Sequence, residues 1–207
     1  MNVNRFTTAD SICHVVTDMN IVSSLTILPD FDLDMLLECD FFLALPCLRV
    51  FDVTMKLPRD VLTALCKCLL INTTVIDFRI KINQISLEEA ASLAEVIRSK
   101  TTLKKLLLTC RNEKSLDDQF RILFSAISSH SLIEELDISG LRVHDSIMFL
   151  PLSESSSLRT VLFPSIYEHN TPLHNALKFN SNIRKVAIYS QTAAGEDIGD
   201  VLPFLFV

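Results

Sequence analysis

Val75-Ile-Asp-Phe-Arg-Ile-Lys-Ile-Asn-Gln-Ile85 sets apolar residues at steps one, four and six, an asparagine at step nine and an apolar residue at step eleven. Strand residues alternate between two faces, so Val75, Phe78 and Ile80 turn inward while Asp77, Arg79 and Lys81 face the other way. Asn83 is then positioned to hydrogen-bond backbone groups of the loop that leads out of the strand.

The pattern recurs. Taking the first apolar position as an anchor, the chain offers Val22, Leu48, Val75, Leu103, Ile133, Leu158 and Ile183, at intervals of 26, 27, 28, 30, 25 and 25. Every anchor is followed by apolar residues three and five positions on: Leu25 and Ile27, Phe51 and Val53, Phe78 and Ile80, Leu106 and Leu108, Leu136 and Ile138, Val161 and Phe163, Val186 and Ile188. A fixed period of this length is the signature of a stacked array of strand-containing units.

Between the strands the apolar period changes from two to about 3.6, which predicts helices returning along one side of the array. Asp34 to Ala44 presents Met35, Leu36, Cys39 and Leu43, and Pro58 to Leu70 presents Val61, Leu62, Leu65 and Leu69 behind a proline suited to a first helical turn. Ser86-x-x-Glu89 is a capping box before Ala90, Leu93, Ala94 and Ile97, and Ser115-x-x-Asp118 is expected to introduce Phe120, Leu123, Phe124 and Ile127 in the same way. Later returns are shorter, at His144 to Leu150 and Pro172 to Phe179. Strands stack about 4.8 Å apart whereas helices need about 8–10 Å, so the array should curve, most strongly where the helices are longest. At the ends, Thr8 to Met19 reads as a return helix of a preceding unit, and Glu196 to Val207 as a short helix finishing on an uncovered Leu-Phe-Leu-Phe-Val. Since solenoids need polar caps, this implies either a longer array or an end that docks on another surface. No linker or composition shift marks a second domain, and residues 1–207 read as one domain of about seven repeats.

Composition narrows the function. With 207 residues, 49% hydrophobic and 21% charged, the chain can bury a continuous core. Only three glycines leave little material for phosphate-cradling loops, and a net charge of -6 opposes nucleic acid as a partner. The N-terminal stretch has no signal-peptide run, and no segment approaches the roughly eighteen apolar residues of a membrane helix, so no membrane partner is expected. Six scattered cysteines without CxxC spacing read as small buried hydrophobes in a reducing, cytoplasmic setting. Asn72-Thr73-Thr74 fits a glycosylation acceptor, which carries no meaning without a secretory signal.

On this evidence the chain resembles the leucine-rich repeat proteins of the ribonuclease-inhibitor-like class, Ser86 to Leu108 most closely. That class includes ribonuclease inhibitors, activating proteins of the Ran GTPase and the repeat regions of nucleotide-binding innate immune receptors. The resemblance covers residues 8–207 and implies an α/β solenoid, a curved horseshoe with parallel strands on the concave face and helices on the convex face. It departs at step nine, where the other units carry Asp30, Lys56, Arg111, Leu141, Ile166 and Gln191 instead of asparagine. What it implies for function is a protein-interaction module; regulation of a small GTPase, or a repeat fragment of an innate-immune-type receptor, are its alternatives.

The candidate site follows from strand alternation. Steps three, five and seven must face the concave side, which nominates Asp77, Lys105, Glu135 and Lys185 at step three, Asp52, Arg79, Leu107, Asp137 and Leu162 at step five, and Lys81 and Tyr189 at step seven. Asp77, Lys105 and Glu135 are expected to alternate in sign across consecutive strands, as are Asp52 and Arg79. Leu107, Leu162, Val50 and Tyr189 have no folding reason to sit on a solvated face and are the expected contact anchors for a protein partner. Catalytic, cofactor and metal readings are weaker. Glu88 and Glu89 diverge on a helix and Glu89 caps it; Cys66 and Cys68 cannot share a helical face; His169 and His174 flank a helix start; Ser153 to Ser157 read as a capped turn without a nucleophile elbow. No enzyme, cofactor or metal is therefore expected.

Overall fold

Each apolar triplet becomes a parallel strand. The computed structural model describes residues 23–27, 46–53, 61–82, 85–110, 116–139, 141, 146–164 and 180–189. The helices expected over 8–19, 34–44, 172–179 and 196–207, the loop residue Asn83, and His169 and His174 lie outside those residues. Within them the chain runs β1 (Ser24–Ile27), β2 (Val50–Val53), α1 (Val61–Ile71), β3 (Asp77–Ile82), α2 (Leu87–Ser99), β4 (Lys105–Cys110), α3 (Asp117–Ser129), β5 (Glu135–Asp137), a 3-10 helix (Ser146–Glu154), β6 (Thr160–Pro164) and β7 (Lys185–Tyr189). The seven described strands form one all-parallel sheet in chain order.

Register follows the sequence period without a slip. Ser24, Val50, Asp77, Lys105, Glu135, Thr160 and Lys185 are successive partners, as are Thr26, Asp52, Arg79, Leu107, Asp137, Leu162 and Ala187. One hydrogen-bond motif repeats at every step. The carbonyls of Ser23, Arg49, Ile76, Lys104, Glu134 and Arg159 each accept two successive N–H groups from the next unit, at 2.8–3.0 Å.

The inward residues are the core. Leu48, Val75, Leu103, Ile133 and Leu158 are buried, with Leu25, Phe51, Phe78, Leu106, Leu136, Val161 and Val186 behind them. Phe51 and Phe78, partners in adjacent strands, stack with centroids 5.9 Å apart. The helices close this face: Leu62, Leu65 and Leu69 of α1, Leu93 and Ile97 of α2, and Phe120, Phe124 and Ile127 of α3 belong to the same cluster. Each such side chain contributes about 1.5–3 kcal/mol by leaving water.

Helix ends show where local signals hold and where packing overrides them. At α2 the Ser86 hydroxyl accepts from Glu89 N at 3.1 Å while the Glu89 carboxylate accepts from Ser86 N at 2.7 Å, the capping box read from sequence. At α3 the expected capping residue Ser115 lies outside the described residues. Leu116 precedes the helix without a side-chain cap bond of its own, it is buried, and its carbonyl takes Phe120 N at 2.9 Å. The return expected over His144 to Leu150 is instead a nine-residue 3-10 helix reaching Glu154 with Pro151 inside it. Pro151 has no N–H to donate to an i−4 carbonyl, which interrupts an α-helix at that point.

A buried polar residue stands three positions before each described anchor from Val75 onward. Asn72 Oδ1 accepts from Thr74 N and Val75 N, His130 Nδ1 from Leu132 N and Ile133 N, Ser155 Oγ from Leu158 N, and Asn180 Oδ1 from Asn182 N. The same side chains tie neighbouring units: His130 Nε2 meets the Lys100 carbonyl at 2.6 Å, and Asn180 Nδ2 donates to the carbonyls of Leu152 and Ser155. Asn72 is thus engaged in a turn and only 5% exposed, which argues against its use as a glycosylation acceptor.

Lys100 occupies this position in the β4 unit and breaks the rule. It has no acceptor to offer, is 5% exposed, and its Nζ finds no hydrogen-bond partner among the described residues. Burial pushes the ammonium down from 10.5 to about 8. Between those values the unfolded chain binds the proton and the folded chain does not, so stability should rise as pH goes from about 8 to about 10.5. Lys100→Asn, which restores an acceptor for the turn, is expected to stabilise by about 1 kcal/mol and to abolish this rise; urea unfolding across that pH range measures both.

Candidate functional site

Among the described residues no element covers the sheet face opposite the helices. Along β4 the residues alternate, with Lys105 exposed, Leu107 and Thr109 half-buried, and Leu106, Leu108 and Cys110 buried. Of the eleven residues nominated from sequence, seven line one open cavity of about 250 Å³ centred on β3 to β6: Asp77, Arg79, Lys105, Leu107, Glu135, Asp137 and Leu162. Asp52, Lys81 and Lys185 do not line it, although they share the rows that strand register builds, as Tyr189 does at the end of its row. Lys81 pairs in register with Thr109, and Tyr189 with Pro164 at the end of β7.

The charges follow the expected cross-strand alternation between Lys105 and Glu135 but not between Asp77 and Lys105. Asp77 binds Arg79 on its own strand, with Arg79 Nη2 donating to Oδ2 at 2.8 Å and Nε to Oδ1 at 3.1 Å. Residues two apart on a strand share a face, and a planar guanidinium matches both carboxylate oxygens at once. Lys105 therefore pairs forward only, its Nζ 2.8 Å from Glu135. The Arg79 guanidinium is held above its ordinary value first by its hydrogen bond to Asp77, with Asp52 and Asp137 adding to that pull against partial burial. Lys105 is raised chiefly by its hydrogen bond to Glu135.

These two pairs are not equivalent. Asp77 is 8% exposed, so its carboxylate depends on Arg79, whereas both members of the Lys105–Glu135 pair are about half exposed and gain about 0–1 kcal/mol. Asp137 is set up by its neighbour: Ser139 donates both its backbone N–H, at 3.0 Å, and its hydroxyl, at 2.6 Å, to Oδ1. Ser139 falls at step seven of the rows expected on the concave side, and its bond to Asp137 was legible as well, since Asp137-Ile138-Ser139 at a strand end is the spacing of an aspartate turn. Asp77 and Arg79 were also legible as a same-face pair, had partners along one strand been weighed beside those across strands.

The groups examined for chemistry have structural partners. Glu89 caps α2; Ser157 Oγ donates to the His130 carbonyl at 2.8 Å, and Ser155 holds the turn to Leu158. Cys66 is buried and its thiol is pushed up to about 12, first by burial and then by Glu89 and Glu95, which keeps it protonated and unreactive. Among the described residues no group of three His, Cys, Asp or Glu is arranged to hold a metal ion, and no helix is long and apolar enough to cross a membrane. Fold and site together define an α/β protein with an uncovered parallel-sheet face. No protein-family model matches the chain, and no curated protein matches it.

Removing Arg79 should expose the difference between the pairs. Arg79→Met is expected to cost about 1–2 kcal/mol in urea unfolding because Asp77 is left buried without its donor, whereas Lys105→Met should cost less than about 0.5 kcal/mol. Equal losses would contradict the assignment of Arg79 as the partner on which Asp77 depends.

Proposed function

We propose that this chain is a leucine-rich repeat solenoid of the ribonuclease-inhibitor-like class and acts as a non-enzymatic protein-interaction module. In this reading a protein partner docks on the concave, strand-lined face, in the cytoplasm. The observation that carries it is the row Asp52, Arg79, Leu107, Asp137 and Leu162, in which two half-buried leucines sit among charges on the face the helices leave open. Leucines on that face add nothing to the core beneath it, and apolar anchors inside a polar rim are how protein interfaces concentrate their energy. Free thiols at Cys47 and Cys66 agree with a reducing compartment.

Arg79 is unsuitable for testing this, since it also supports Asp77. Lys105→Glu with Leu107→Glu and Leu162→Glu alters the face without touching a buried pair. Affinity capture from cells expressing the tagged chain, quantified by mass spectrometry, should recover proteins with the wild type that the triple variant loses by about tenfold or more, equivalent to about 1.4 kcal/mol. A control variant on the helical side, Glu95→Lys, should retain them. Equal recovery by the triple variant would contradict the proposal.

A further inference from the structure

The charge balance of the open-face cavity selects one kind of occupant. Its lining holds three carboxylates, Asp77, Glu135 and Asp137, and two cations, Arg79 and Lys105. Arg79 spends two donors on Asp77, and Lys105 is bound to Glu135. What remains is Asp137. Its Oδ1 takes both bonds from Ser139, and its Oδ2 has no partner among the described residues.

Its neighbours complete the arrangement. Leu107 is the register partner of Asp137 on one side and Leu162 on the other, so the carboxylate stands between two leucines, each about 4.8 Å away across the sheet. An apolar-flanked carboxylate suits an amphipathic cation, whose methylenes cover leucine while its charged head meets the oxygen. The size agrees: about 250 Å³ lies below the roughly 300–1,000 Å³ of small-molecule and cofactor pockets, and the cavity is open along the sheet. A side chain projecting from an extended segment fits this better than a free ligand does.

We propose that the cavity is a subsite for a basic side chain of an extended segment of a partner protein, its charge on Asp137 and its stem on Leu107 and Leu162. The inference rests on the docking reading above and adds the chemistry of the partner. Arginine and lysine are both admitted, arginine with the better geometry because its planar head can engage the carboxylate from two nitrogens.

The test uses the full chain and random heptapeptide pools whose central residue is fixed as arginine, lysine, citrulline or glutamate. Citrulline keeps the shape of arginine without its charge. Binding is read by fluorescence anisotropy, and location by the methyl resonances of Leu107 and Leu162. The arginine and lysine pools should bind about tenfold more tightly than the citrulline pool and shift both methyls. Asp137→Asn keeps an oxygen for Ser139, so the turn survives while the charge is lost, and it should reduce that preference to within about twofold. If the arginine and citrulline pools bind equally while the two methyls still shift, the cationic subsite is wrong and the docking face stands. If no pool moves those methyls, the docking face fails together with the subsite.

Discussion

One backbone motif governs the rest of the molecule: a single carbonyl at the head of each strand from β1 to β6 accepts two successive N–H groups from the next unit, from Ser23 through to Arg159. It forms only if neighbouring strands are parallel and begin at the same step. Parallel neighbours in turn require a long crossover, and between β2 and β6 the described residues supply it as a helix or a 3-10 segment. The crossover length sets the sequence period, and the apolar residues of these described crossovers bury the inward side of the sheet. The opposite side is left uncovered by the same geometry, which is why the candidate site lies there.

The buried polar residue before each anchor does a second job for that motif. Where the chain leaves its crossover, N–H groups would be buried without partners, and Asn72, His130, Ser155 and Asn180 accept them. An unsatisfied buried N–H costs about 1–3 kcal/mol, so this position controls how firmly each strand is delivered in register. Lys100 shows the position tolerating a residue that cannot serve it. Its unit nevertheless keeps register, since Lys104 N and Lys105 N still find the Ile76 carbonyl, both at 2.9 Å. The unit interfaces on either side therefore hold this turn in place without the side chain's help.

Much of this was legible in the sequence because strand alternation and a repeat of about 27 residues are global patterns that a single residue cannot overturn. The anchors, the inward triplets, the Ser86–Glu89 box and the composition of the open rows could all be read from spacing. What spacing did not reveal depends on choices among near-equal partners. Asp77 could have paired across to Lys105 or along to Arg79, and the bidentate guanidinium decided it. The start of α3 at Asp117 behind a leucine without a capping side chain, and the 3-10 winding of the segment that contains Pro151, are not encoded by a capping motif or an apolar period. Lys100 drew no expectation from the sequence; its place three residues before Leu103, where other units carry Asn72, His130, Ser155 and Asn180, is what marks it as buried.

Everything above stands on strands that are parallel, consecutive and in step. Nuclear Overhauser spectroscopy on the isotopically labelled chain tests that directly through the column Phe51, Phe78, Leu106, Leu136, Val161 and Val186. Each residue should show contacts to its neighbours in this column, in chain order, with interstrand backbone contacts at the same step. A contact joining non-consecutive units, such as Phe78 with Val186, or an offset of one residue in any pairing, would contradict the account.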